Sequence, residues 1–298
     1  MNLRQIRAFL FIAKHRSFTL AAEELGVTQP AISLMIREFE EEIGVKVFSR
    51  STRTIYLTPV GEALENDLKM IMSDFDRVFA SLDESVRVRK GNVNIASLST
   101  IAIRLLPSVI TTCRQLHPGV NISLRDGTSS TVFQRVLTGA ADFGISTNDD
   151  PTREVLFTPL IEESFSVICN RKHRFAEYES ITWDELCGAD FIGMTEETGI
   201  GRLIDGISAN RKTSLNYVFR VFHLSTVLGQ VEENLGVALL PESAKPSPDH
   251  HALAKVPLAD IDIRRTIGVL RRRDRPPSAA ASAVLDVVSK HMERSAIE

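Results

Sequence analysis

The sequence predicts an α/β chain in three parts: a small helical head, one long helix, and a two-lobed α/β domain. Three observations carry this. Apolar residues recur every three or four positions through the first helices. The same spacing then continues over a stretch too long for one small domain to cover, and from Val93 onward short apolar runs alternate with helical ones. Composition agrees: 298 residues, 43% hydrophobic and 24% charged, exclude a disordered or collagen-like chain and supply core for about two domains or more. Three cysteines without a C-x-x-C pair exclude a disulfide framework and fit a reducing compartment. No stretch reaches the roughly 18 to 20 apolar residues of a membrane span, so a soluble cytoplasmic protein without a membrane partner is expected.

The head begins with a helix in which apolar Leu3, Ile6, Ala8, Phe9, Leu10, Ile12 and Ala13 recur at three and four, the period of a helix with one buried face. Ser17 caps a short alanine-rich helix, Leu20 to Leu25, which Gly26 ends. Thr28 then caps a third helix with Pro30 in its first turn. Two short helices joined by such a turn make a helix-turn-helix. On the third helix, Ile32, Met35, Ile36, Phe39 and Ile43 form the packing stripe. Gln29, Ser33 and Arg37, each four apart, form an outward column able to bond base edges and phosphates. Val45 to Leu57 reads as a two-stranded wing with a polar tip at Ser49 to Arg53, placing Arg50 and Arg53 for a minor groove or its phosphates. Net charge is −3 overall, yet residues 1–58 carry eight basic side chains to six acidic; if the acids cluster, a basic face remains.

The run S-F-T-L-A-A-E-E-L-G-V-T-Q-P-A-I-S at 17–33, continued by I-R-E-F-E-E-E-I-G-V-K-V-F-S-R at 36–50, resembles the N-terminal signature of the LysR-type transcriptional regulators. The resemblance implies a winged helix-turn-helix that binds double-stranded DNA. Thr28, Gln29, Pro30, Ser33 and Arg37 would lie on the recognition helix and Arg50 and Arg53 on the wing. One departure stands out: many members carry a basic residue directly after the serine, where this chain has Leu34, a side chain suited to a thymine methyl.

Thr58-Pro59 starts a helix that nothing interrupts to about Val88. Leu64, Leu68, Ile71, Phe75, Val78 and Leu82 follow a heptad spacing. About thirty helical residues extend some 45 Å, which favours pairing with a second chain over lying on its own domain. In the family this linker pairs two chains.

After the polar hinge Arg87 to Asn92, strands are expected at Val93–Ser97, Val120–Arg125 and Asp142–Ile145, with helices at Ile101–Leu116 and Thr131–Leu137. A second set follows: strands at Glu163–Asn170, Phe191–Gly193, Val218–Phe222 and Gly236–Leu240, interleaved with helices at Trp183, Gly201 and Ser225. A return strand from Arg265 and a helix capped by Ser278 close the chain. Such alternation implies parallel sheet. L-L-P at 105–107, L-T-G-A-A-D-F-G-I at 137–145 and N-L-G-V-A-L-L-P at 234–241 resemble the same family's regulatory domain, which implies a periplasmic-binding-protein-like fold with an effector between two lobes.

Ligands of open α/β lobes sit beyond strand C-termini, at helix starts. Ser99, Thr100, Thr128 and Ser129 lie at such points on the first lobe, with Arg202 and His223 facing them from the second, a set suited to a small carboxylate. Hydroxyls there also serve simply as caps. Thr100 and Thr128 align with effector-contacting positions of the family.

No phosphate-binding glycine loop, no G-x-S-x-G and no zinc spacing occurs, so neither an enzyme nor a cofactor nor a metal is expected. The resulting expectation is a DNA-binding head over residues 1–58, a linker helix over 59–89 and an effector domain over 90–298. Within the last, one lobe comprises about 90–161 with 265–298 and the other about 162–264. The partners expected are operator DNA, a small-molecule effector, one or three further copies of the chain, and RNA polymerase as a candidate. The rival reading is a cytoplasmic solute-binding module whose N-terminal helices contact a protein partner.

Overall fold

The structure is a computed structural model describing residues 1–50, 55–83, 91–148, 154–244, 246 and 250–295. It forms two compact units, Met1–Ser85 with Thr138–Ala140, and Val86–Leu137 with Ala141–Glu298.

The first unit runs α1 (Leu3–His15), α2 (Phe18–Leu25), α3 (Gln29–Ile43), β1 (Phe48–Arg50), β2 (Ile55–Leu57) and α4 (Pro59–Asp83). Local chemistry sets the boundaries. Asn2 and Gln5 form a capping box at α1, Ser17 accepts from the Leu20 N–H at α2, and Gly26 ends α2 at φ 70°, a conformation glycine adopts without a Cβ clash. Thr28 precedes α3 but makes no side-chain cap hydrogen bond. Phe9, Ile12, Ile32, Ile36 and Phe39 are buried, and the Phe9 and Phe39 rings stack at 5.7 Å. Buried Ala21 and Ala22 let α2 approach closely.

The wing strands pair antiparallel, from Phe48↔Leu57 to Arg50↔Ile55. The start of α4 is pinned to them: Thr58 Oγ1 accepts from the Gly61 N–H at 3.1 Å and donates to the Lys46 carbonyl at 2.8 Å. A Cβ on Gly61 would lie 2.3 Å from the Val47 carbonyl oxygen, so only glycine fits there. The expected heptad seam divides. Leu68 and Met72 are buried in the head with Leu64 and Phe75 against them, whereas Ile71 is 54% exposed.

The second unit comprises β3 (Gly91–Leu98), α5 (Ser99–Arg104), α6 (Leu106–Leu116), β4 (Val120–Gly127), α7 (Ser129–Leu137), β5 (Phe143–Ser146) and β6 (Val155–Asn170). It continues through α8 (Trp183–Cys187), β7 (Asp190–Met194), α9 (Gly199–Arg211), β8 (Asn216–Val221), α10 (Leu224–Glu232), β9 (Ala238–Pro241), β10 (Leu253–Val256), β11 (Arg264–Arg272) and α11 (Ala279–Ser295). Within each lobe the expected parallel pairing is present, β3 with β4 and β5 in one and β7 with β8 in the other.

The sheet as a whole is mixed rather than parallel, because β6 and β11 pass between the lobes antiparallel to each other. β11 also runs antiparallel to β5, and β9 and β10 run antiparallel to β6. β6 starts eight residues before the expected strand. Pro159 reads against a strand, yet it sits opposite Gly268 beside a register shift, where a ladder tolerates proline. The expected helix Ile101–Leu116 is two helices broken at Leu105, since Pro107 has no N–H for the Ile103 carbonyl. One core gathers around Trp183, Phe175, Phe191 and Ile192, the other around Ile95, Leu106, Phe143 and Val284.

Candidate functional site

Two places in the chain concentrate polar chemistry. On the first unit, Pro30, Ser33, Leu34, Arg37 and Lys46 line an open groove of about 670 Å³ along α3. Thr28, Gln29 and Pro30 are exposed at its start, and the Gln29 amide donates to the Ser33 hydroxyl at 3.2 Å. Arg37 is 64% exposed, with Glu41 at 3.8 Å one turn on. Arg50 closes β1, and Arg53 lies outside the described residues.

Three acids of the head, Glu24, Glu38 and Glu40, are drawn into its own structure. Glu40, 7% exposed, accepts from the Val47 N–H at 3.0 Å and the Phe48 N–H at 3.3 Å, and pairs with Lys46 at 2.7 Å, fixing the wing to α3. Glu38 accepts from the Gln5 amide, and Glu24 pairs with Lys14 and His15, whose hydrogen bonds hold its carboxyl below the usual range. The cations along the α3 groove, Arg37 and Lys46, thus each have an acidic neighbour, Glu41 and Glu40.

On the second unit, a cavity of about 490 Å³ lies between the lobes. Ser99, Thr100, Thr128, Ser129 and His223 all line it, and the first turns of α5, α7, α9 and α10 border it. Thr128 Oγ1 accepts from the Thr131 N–H, so this hydroxyl also caps α7. His223 precedes α10 without a side-chain cap hydrogen bond, while its carbonyl accepts from the Thr226 N–H at 3.0 Å. Much of the wall is apolar: Leu98, Ile103, Met194, Ile200, Phe222 and Leu224. Asp126 lies exposed at the rim.

Arg202 is placed differently from its neighbours in the expected set. It lines an adjoining chamber of about 570 Å³ and reaches back to the first cavity through Nη2, which donates to Ser129 Oγ at 3.1 Å. Its Nη1 donates to the Glu196 and Glu197 carbonyls, so Arg202 ties α9 to α7.

Sequence reasoning missed Arg265, which lines both chambers. Its side chain is 8% exposed and that of Glu163 is 4%; Nε donates to Glu163 Oε1 at 2.6 Å, and Nη2 to Thr100 Oγ1 at 3.1 Å and Ser243 Oγ at 3.4 Å. Glu163 also accepts from the Ser243 N–H at 2.8 Å. A signal existed: Ile263, Arg265, Ile267 and Val269 share strand parity, so a cation falls on the core face.

Comparison with known proteins matches the two domains that carry these places. Residues 3–62 match the model of the bacterial regulatory helix-turn-helix protein, lysR family, and residues 87–293 match the LysR substrate binding domain. The chain is 33% identical over 280 residues to the uncharacterized HTH-type transcriptional regulator YbhD of Escherichia coli (strain K12), covering 94% of this chain and 88% of that one. Its fold is similar to full-length OxyR from Pseudomonas aeruginosa (TM-score 0.75, 22% identity, 98% of this chain and 94% of that one). It is likewise similar to full-length CbnR complexed with its target DNA (TM-score 0.73, 20% identity, 99% of this chain and 100% of that one). These matches favour a transcriptional regulator over a solute-binding module with a protein partner, and no part of them describes an enzyme. A helix-turn-helix head that presents cations along α3 and a two-lobed domain with a ligand-sized cavity are the two halves of one regulatory design, and the chain belongs to the LysR family of DNA-binding transcriptional regulators.

Proposed function

We propose that the cavity takes a small carboxylate with an apolar body, and that its occupancy sets how paired recognition helices meet a two-fold-related operator. The observation that carries this reading is the convergence of four helix N-termini on one largely apolar cavity beside the buried guanidinium of Arg265. Helix N-termini present N–H groups and positive dipole ends, which favour an anion, while the apolar wall favours a hydrocarbon or aromatic body. Ser99, Thr100, Thr128, Ser129 and His223 would contact the ligand. Arg202 would act through Ser129.

On the DNA side, Thr28, Gln29, Pro30, Ser33 and Arg37 read and grip the major groove, and Arg50 and Arg53 hold the wing on phosphates. The head over 1–58, linker over 59–89 and effector domain over 90–298 work in the cytoplasm as a dimer or tetramer, since a two-fold operator needs two heads. Regulation is a population shift: the effector binds one arrangement of the heads better than the other.

The test is thermal unfolding of the full-length protein, followed by fluorescence of its one tryptophan, Trp183, which lies in the second lobe. A panel of small carboxylic acids is compared with the matching primary amides. A true effector at a thousand times its dissociation constant adds about 4 kcal/mol. Acids that stabilise where their amides do not support the reading; amides that stabilise equally would overturn the carboxylate.

A further inference from the structure

The outward face of α3 holds a large apolar side chain, Leu34, that hydrogen bonding does not account for. Ile32 and Ile36 are 0% and 1% exposed, but Leu34 between them is 44% exposed and lines the α3 groove with Pro30, Ser33 and Arg37. Pro30, also exposed, lies one turn before it, so the pair makes a short apolar strip beside the polar column of Gln29, Ser33 and Arg37. An exposed leucine elsewhere on a surface is ordinary. This one stands where a DNA groove must close over the protein and strip its water, and it then needs an apolar partner. Only one apolar group projects into the major groove, the C5 methyl of thymine.

We propose that Leu34 reads a thymine methyl and is a specificity-determining residue of the recognition helix. The inference rests on α3 being the helix that enters the groove, and it assigns one thymine to each half-site, at the base step covered by Leu34. The polar column supplies hydrogen bonds to the neighbouring bases and phosphates. Leu34 adds discrimination by shape and by loss of apolar surface, which deoxyuridine cannot supply because it differs from thymidine only in lacking that methyl.

The experiment selects a preferred duplex from a random pool with the full-length protein, then replaces each thymine of that duplex singly by deoxyuridine. One buried methyl corresponds to about fourfold in affinity, and symmetric replacement in both half-sites to about fifteenfold. The expected result is one thymine position per half-site with that loss. The loss should disappear in Leu34→Ala and persist in Leu34→Met, whose side chain is still apolar. Circular dichroism on both variants monitors the fold, which an exposed position should leave intact. A selected duplex indifferent to every methyl, or equally sensitive with Leu34→Ala, would overturn the Leu34 contact alone. A pool that enriches nothing would overturn α3 as the reading helix, and Leu34 with it.

Discussion

At the scale of single residues, the buried pair of Arg265 and Glu163 links stability to sensing. A guanidinium with so little solvent contact has no water to replace a lost carboxylate, and removing one partner of such a pair costs about 3–5 kcal/mol. Glu163→Leu should therefore destabilise the effector domain by that order in urea unfolding followed by Trp183. Adding Arg265→Met should restore most of the loss, because an apolar pair removes both charges at once. The double variant should nevertheless fail to respond to a carboxylate that stabilises the wild type, separating the contact with Thr100 from the stability the pair provides. The cysteines make a second case. Burial pushes the Cys169 thiol up to about 11 and raises Cys113 and Cys187 as well, so all three stay protonated at neutral pH. Thiol-disulfide reagents act on thiolates. Native protein at pH 8 should label Cys169 only as fast as it unfolds, and rapid labelling without unfolding would contradict its buried environment.

At the scale of elements, α4 serves two surfaces with one apolar pattern. Leu68 and Met72 complete the core of the head, so Leu68→Ala should cost about 2–5 kcal/mol of head stability. Ile71, on the exposed side, should tolerate Ile71→Asp in the folded head while shifting sedimentation toward monomer. A variant that unfolds rather than dissociates would place Ile71 with the core instead. The spacing alone made α4 legible as a long helix, but heptad positions look identical whether they meet another chain or their own domain. Other elements divide the same way. Gly26, Thr28 and Pro30 are local signals, and they sufficed to place the turn and α3 almost to the residue. β6 was half hidden because Pro159 argues against a strand unless its bulge with β11 is known, and that bulge is a long-range fact. For the candidate site, hydroxyls at helix starts could be read because caps are local. Arg265 could not be singled out that way, since its role depends on Glu163 about a hundred residues away and Ser243 on another element.

At the scale of the whole molecule, a chain of net charge −3 that binds a polyanion must do so through a local field. Glu40 is engaged with the wing and Glu24 with Lys14 and His15, and under the proposed reading Arg37, Arg50 and Arg53 meet the phosphates. Each phosphate contact releases counterions, and log affinity falls with log salt by about 0.9 per contact. If Arg37, Arg50 and Arg53 each grip one phosphate in each of two heads, as proposed, there are about six contacts. The slope should then be close to −5, and affinity for the selected duplex should fall roughly a thousandfold between 50 and 200 mM salt. Arg37→Ala removes one contact per head, so it should make the slope shallower by about two while weakening all sequences alike. Leu34→Ala should leave the slope untouched and change only which sequence is preferred. If Arg37→Ala left the slope unchanged, the phosphates would be held elsewhere. If Leu34→Ala altered it, the division of α3 into a charged grip and an apolar reader would be wrong.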